Sequence, residues 1–406
     1  MAFDLVIANA RLIDRPGLFD IGIAGGRITA IGPSLAGGAR EDAGGALAFP
    51  GFVESHIHLD KACILDRCPI HEGTLAEAVA ATARAKAGFT EEDVYARAAS
   101  VLEKAVLQGT TRVRTFVEID PRSGFRSFEA ILRLKRDYAF AVDLEICAFA
   151  QEGLTQEMAT YAMLDEALAR GADLVGGCPY TDPDPQRHVR LIFDLAEKHG
   201  VRADFHLDFD LDPSGSGIPA VIAETVARGY AGRVTIGHVT KLSAMAPAEV
   251  AEAAARLADA GIGLTVMPAT DLFLTGRNSD RLVPRGVAPA RRLHQHGVVA
   301  SVASNNILNP FTPYGDASLG RMANLFANVV QLSRDEDMRA AFDMVTASAA
   351  RLLGAPYGLT EGGPADIVLL DAADPVAAVR EIAPVLAGWK AGRKTFTRPR
   401  ATLLRP

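Results

Sequence analysis

Eight short apolar runs, each parted from the next by a stretch of helical pattern, constrain what this chain can fold into. They fall at residues 48–58, 112–119, 144–150, 173–178, 202–208, 233–239, 263–267 and 298–304. Runs rich in Val, Ile, Phe and Ala without strict polar alternation read as strands covered on both faces. The intervening stretches, such as 185–199, 216–228, 247–260 and 288–296, are amphipathic and rich in Ala, Leu, Glu and Arg. Eight strand–helix units point to a closed parallel (β/α)8 TIM barrel. An open doubly wound sheet would hold the same alternation, but no GxGxxG stands at the first strand–helix turn.

The two chain ends read differently. Residues 5–7, 11–13, 21–24 and 27–31 form short strand patterns broken by Gly25-Gly26 and Gly32-Pro33. Residues 365–370, 384–390 and 394–397 repeat that style around a Gly392-Arg393 turn. Such punctuation marks antiparallel β structure. The expected organisation is therefore a small β-sandwich built from 1–50 and 355–406, and a barrel over 51–354. Two further segments, 319–332 and 335–353, carry the apolar stripes of core helices.

Bulk properties narrow the function. A net charge of −7 over 406 residues, with no Lys/Arg stripe, excludes a nucleic-acid partner. The opening MAFDLVIANARLID alternates like a strand, not a signal peptide. No run reaches the roughly 18 apolar residues of a membrane span. Four cysteines with no CxxC spacing make no disulfide framework, so a cytoplasmic setting is expected.

Barrel enzymes carry their chemistry at the C-terminal strand ends. Four of the nine histidines fall there: His56 and His58 after the first strand, His206 after the fifth and His238 after the sixth. His56 and His58 are two residues apart on a strand, so their rings share one face. Two imidazoles from one strand and a third from across the barrel can build an open metal site. The other five histidines lie in helices or loops and read as structural or solvated.

Gly51-Phe52-Val53-Glu54-Ser55-His56-Ile57-His58-Leu59-Asp60-Lys61 resembles the first-strand motif of the amidohydrolase superfamily, in the branch of the cytosine deaminases and isopropylammelide hydrolases. Arg112-Val113-Arg114-Thr115 resembles that branch's second strand, and Ala148-Phe149-Ala150-Gln151-Glu152-Gly153 its third. Gly237-His238-Val239-Thr240 is similar to the sixth. Asn309-Pro310-Phe311-Thr312-Pro313-Tyr314-Gly315 is similar to the loop after the eighth. The resemblance spans essentially the whole chain, flanking sandwich included. It implies His56, His58 and His206 as metal ligands, His238 as the histidine beside the attacking water, and Gln151 as a substrate-amide contact. Binuclear relatives end the fourth strand with a carboxylated lysine, where this chain has Gly176-Gly177-Cys178. One divalent metal ion, zinc or iron, is therefore implied. Oligomeric relatives imply a homo-oligomer.

Two departures bear on activity. The family's strand-eight aspartate binds the metal and takes a proton from the water, but this chain reads Ser304-Asn305-Asn306. Asn305 can offer a carbonyl oxygen to the metal and cannot hold a proton. The family's glutamate three residues past the strand-five histidine, which shuttles a proton to the substrate, is Phe209 here. Each such group contributes about 10²–10⁴-fold, so ordinary cytosine deamination is not expected. The expected activity is metal-dependent hydrolysis of a C–N bond in a cyclic amidine, amide or other nitrogen heterocycle. His238 or a nearby carboxylate (Asp208, Asp60 or Glu118) would act as base. Gln151, Asp60, Phe209 and Asn306 would surround the substrate, although Phe209 reads equally as core packing. Asp60 and Lys61, as adjacent charges, read as solvated at the barrel mouth. The alternative is a catalytically degenerate, deaminase-like protein that binds a small molecule.

Overall fold

The computed structural model describes residues 2–404; the last two residues of the expected end domain lie outside that range. Strands β1 (Leu5–Leu12), β2 (Phe19–Ala24), β3 (Arg27–Gly32), β4 (Ala39–Asp42) and β5 (Leu47–Phe49) precede the barrel. The barrel strands are β6 (Phe52–Ile57), β7 (Thr110–Glu118), β8 (Asp143–Ala150), β9 (Leu174–Gly177), β10 (Arg202–Leu207), β11 (Val234–His238), β12 (Ile262–Val266) and β13 (Ala300–Val302). Strands β14 (Ile367–Leu370), β15 (Val385–Lys390) and β16 (Arg393–Thr397) return to the end domain.

β6 to β13 pair in sequence order and in parallel. The ring closes just past β13: Asn305 N–H donates to the His56 carbonyl at 2.9 Å, and His58 N–H donates to the Asn305 carbonyl at 2.8 Å. Below this seam the buried Glu54 carboxylate accepts from Ser304 N–H at 3.1 Å and from His56 N–H at 3.2 Å. Burial pushes that carboxyl up to about 7.

Helices cover the outer face, as the sequence predicts. The helix Pro185–His199 shows how it is specified. Asp184 caps it by accepting from Arg187 N–H, Pro185 starts it and Gly200, at φ 66°, stops it. Its inner face buries Ile192, Phe193 and Leu195, each contributing about 1.5–3 kcal/mol of transfer free energy. No helix among the described residues is long and apolar enough to cross a membrane. All four cysteines are free.

The end domain departs from its expected strands in three places. The run 48–58 serves two sheets: β5 pairs with β1 and β14, while β6 enters the barrel beside β7. Pro50-Gly51 divides it, with Gly51 at φ 98°. Periodicity could not reveal the break, because Phe49 and Phe52 are both buried and pack edge to face at 4.9 Å. Second, 5–7 and 11–13 form one strand with an irregularity between Ile7 and Ala10, where Asn9 has φ 56°. β1 pairs with β2 on both sides of that irregularity, with β4 through its first half and with β5 through its second, so one bent strand joins two layers. A core of Ile7, Ile21, Ile23, Ile367, Leu369 and Trp389 lies between them. Third, β4 escapes a hydrophobicity reading because its sequence is the polar ARED.

The Gly51 hinge makes a stability prediction. A side chain there would collide with Thr111 and occupy a left-handed backbone, whereas Gly25 has φ 57° and open space around it. Gly51→Ala should cost about 2–4 kcal/mol in urea unfolding and Gly25→Ala about 1 kcal/mol. Equal costs would show that the junction does not constrain the two sheets.

Candidate metal centre and active site

β6 and the residue after it bring His56 and His58 to the barrel mouth, while the intervening Ile57 packs into the main core. β10 brings His206, whose Nε2 lies 3.1 Å from the Nε2 of His56 and 3.1 Å from that of His58. All three rings are buried. Phe116 stacks on His56 at 3.8 Å between centroids, and Phe149 lies 4.3 Å from His206. This apolar floor desolvates the imidazoles. Burial first, and the nearby positive side chains second, hold all three well below the usual imidazole range. They stay neutral, as ligation requires.

Three neutral ring nitrogens meeting at one point cannot all satisfy one another, since each ring carries a single proton. A cation resolves the conflict. Ligand nitrogens at about 2.0–2.1 Å from an ion stand about 2.8–3.4 Å apart across right-angled to tetrahedral angles, which accommodates the observed spacing. Among the described residues these three histidines form the metal-competent cluster. The Oδ1 of Asn305 is buried without a hydrogen-bond partner, so a neutral oxygen is also available beside them. The donor set fits a single divalent cation.

A narrow cavity opens over this cluster, lined in part by His238, Gln151, Phe209, Asn305, Asn306 and Lys61. His238 ends β11 with φ 67°, and Asn305 has φ 60°. Such left-handed non-glycine residues at strand ends are typical of functional sites. The Nδ1 of His238 donates to Asp271 Oδ1 at 2.6 Å. That leaves its Nε2 as the free ring nitrogen. Phe209 meets the His238 ring edge to face at 4.6 Å.

Known proteins share this fold. The profile of the Amidohydrolase family matches residues 72–396. The chain belongs to the amidohydrolase family. As a member it is a hydrolase acting on carbon–nitrogen bonds. This amidohydrolase is 30% identical over 404 residues to the N-isopropylammelide isopropyl amidohydrolase of Pseudomonas sp. (strain ADP), covering 96% of each chain. It is 29% identical to the pterin deaminase of Rhizobium rhizogenes, covering 87% of this chain and 82% of that one. The crystal structure of 5-methylcytosine deaminase from Klebsiella pneumoniae liganded with 5-fluorocytosine superposes with a TM-score of 0.93 at 30% identity, covering 99% of both chains.

The amidohydrolase brings together His56, His58, His206, His238, Asn305, Asn306, Gln151 and Phe209, all expected at the site. It does not bring in the two aspartates. Asp208 turns away with φ 52°, and its carboxylate accepts from Ser216 Oγ at 2.5 Å and Gly217 N–H at 2.8 Å. It shapes the following turn and is not placed as a base. Asp60 is buried, not solvated, and accepts from the backbone N–H of Lys61 and of Glu118, both at 2.9 Å. Burial, then the charge of Glu118, raises its carboxyl to about 6. Lys61 is buried too, with Nζ donating to Glu118 Oε1 at 2.6 Å and Gln151 Oε1 at 3.2 Å. Glu118, held by two lysines, is likewise not a free base. Sequence reasoning missed Asp271 and the inward turn of Lys61. Asp271 lies on the helix Pro268–Leu274, in no spacing relation to His238 that a motif would expose.

Metal analysis of protein purified without chelators should give about one equivalent of a divalent ion. His56→Ala and His206→Ala should lose it, whereas His238→Ala should keep it. Less than about a tenth of an equivalent in the parent, unrecovered on metal addition, contradicts the site.

Proposed function

We propose that this amidohydrolase cleaves a C–N bond of a small cyclic amidine, amide or related nitrogen heterocycle. One divalent cation, zinc or iron, would be held by His56, His58, His206 and the Asn305 carbonyl. The observation that carries this reading is the meeting of three histidine Nε2 atoms beneath a cavity that also holds Gln151 and His238. The relatives named for isopropylammelide, pterin and 5-methylcytosine act on small nitrogen heterocycles, which supports the substrate class. Free cysteines suit a cytoplasmic enzyme.

When bound, the cation supplies Lewis acidity that makes water a nucleophile near neutral pH. Four neutral ligands would leave its charge uncancelled. The chain's own residues do the rest. Asp271 accepts from His238 Nδ1, which fixes the ring with Nε2 toward the cavity as a proton acceptor. Its carboxylate also stabilises the imidazolium formed when His238 takes the proton. His238 thereby covers the proton transfer that Asn305 cannot perform. Phe209 offers an aromatic ring where the family's glutamate would pass a proton to the substrate, so the favoured substrates release their leaving group without that shuttle. Gln151 orients the heterocycle.

Turnover of zinc- or iron-loaded protein on a heterocycle panel, read by mass spectrometry, tests this. Asp271→Asn should retain metal and lower kcat by about 10²–10⁴-fold with little change in KM. If the double substitution Asn305→Asp with Phe209→Glu creates cytosine or isocytosine deamination, these two departures alone account for the altered specificity; if no such activity appears, substrate recognition has diverged as well. Ligand-induced thermal stabilisation with no product from any loaded preparation would instead mark a degenerate binding protein.

A further inference from the structure

The hydrogen-bonding sense of the cavity wall is fixed by what lies behind it. An ammonium can only donate, so the Gln151 atom facing Lys61 Nζ at 3.2 Å is the carbonyl oxygen. The NH2 end of Gln151, a residue of the cavity lining, is left with only a long contact to Cys178 Sγ at 3.5 Å. Asn309 fixes Asn306 in the same way. Asn309 Oδ1 accepts from Phe311 and Thr312 N–H at 3.0 and 3.1 Å, so its other atom is Nδ2, which donates to the Lys61 carbonyl at 3.2 Å. That Nδ2 also donates to Asn306 Oδ1 at 2.7 Å, which leaves the Asn306 NH2 free. Lys61 completes the set. Its ammonium bonds Glu118 and Gln151 and lies 4.5 Å from the centroid of the Phe311 ring, and both Lys61 and Phe311 line the cavity.

Charge points the same way. No carboxylate lines the cavity. Glu118, the partner of Lys61, lies behind it toward Lys86, which Asp120 and Glu152 also neutralise, so Lys61 brings its ammonium to the lining while the carboxylates of this network stay outside it. A cation held by neutral ligands would add its full charge nearby.

Building on the hydrolase reading, we infer that the substrate is an anionic heterocycle whose oxo or carboxylate oxygens face Lys61, Gln151 and Asn306, with Lys61 setting this specificity. A ring that must offer an N–H at that edge finds donors in front of it, since the Gln151 carbonyl is already occupied. Neutral aminopyrimidines are disfavoured for that reason, independently of the missing acid at Phe209.

Calorimetric titration of the metal-loaded protein tests this with barbiturate and orotate, anions at neutral pH, against uracil and cytosine, which are neutral. At least one anion should bind about tenfold or more tightly than either neutral ring, as a charge-assisted hydrogen bond implies. Lys61→Met should erase that preference while metal content is unchanged. Asn306→Asp, which puts a carboxylate in the donor wall without touching Lys61, should weaken anion binding by a similar factor and provides the test if Lys61→Met does not fold. Equal or tighter binding of the neutral rings, binding of neither anion, or a preference that survives in a folded variant overturns the inference. Metal content and turnover report separately: a loaded enzyme that turns over neutral heterocycles overturns the charge preference alone, whereas protein that takes no metal overturns the hydrolase reading.

Discussion

Closure of the barrel and assembly of the site rest on the same pair of hydrogen bonds. Asn305 donates its N–H to the His56 carbonyl and accepts from the His58 N–H. The residue that offers the oxygen donor is thereby laced between the two that offer nitrogen. Because neighbouring strands are held about 4.8 Å apart, the seam fixes those side chains without a flexible loop. β10 and β11, paired in register with His206 beside Gly237 and Leu207 beside His238, hold the other imidazoles on the facing wall. Glu54 ties the seam from below through Ser304 and His56. A register slip in this ring would disperse the ligands and open the core together.

Burial gives those positions their chemistry. Phe116 and Phe149 keep water from the histidines, so the rings stay neutral and available to a cation. Beside this apolar floor runs a polar network: Lys61 to Glu118, Glu118 to Lys86, and Lys86 on to Asp120 and Glu152. Although burial pushes the Glu118 carboxyl up, the two ammoniums more than offset it and hold it below the usual range. Each buried charge thus has a partner of opposite sign, and truncating one member would strand the others. In the proposed reading Asp271 with His238 takes over from the base lost at Asn305, and Lys61 sets the sign of the pocket.

The barrel and the meeting of its histidines were legible because both follow from strict periodicities. Strand alternation puts His56 and His58 on one face, and strand ends put His206 and His238 at one mouth. What escaped was set by local backbone turns and by long-range pairing. Asp208 looked poised beside His206, but a left-handed backbone swings it toward Ser216 and Gly217. Asp60 and Lys61 looked solvated as adjacent charges. Their partner, Glu118, arrives from another strand, and no local pattern announces it. Asp271 reaches His238 from the helix after β12, again a pairing visible only in three dimensions. The run 48–58 hid a hinge because both of its halves are buried.

Anomalous scattering from crystals grown with zinc, collected on either side of the metal edge, tests the central claim most directly. The account predicts one strong peak about 2.0–2.2 Å from the Nε2 atoms of His56, His58 and His206, with the Asn305 side-chain oxygen facing it. A map without a peak among those three rings, or with the ion bound elsewhere, would contradict it.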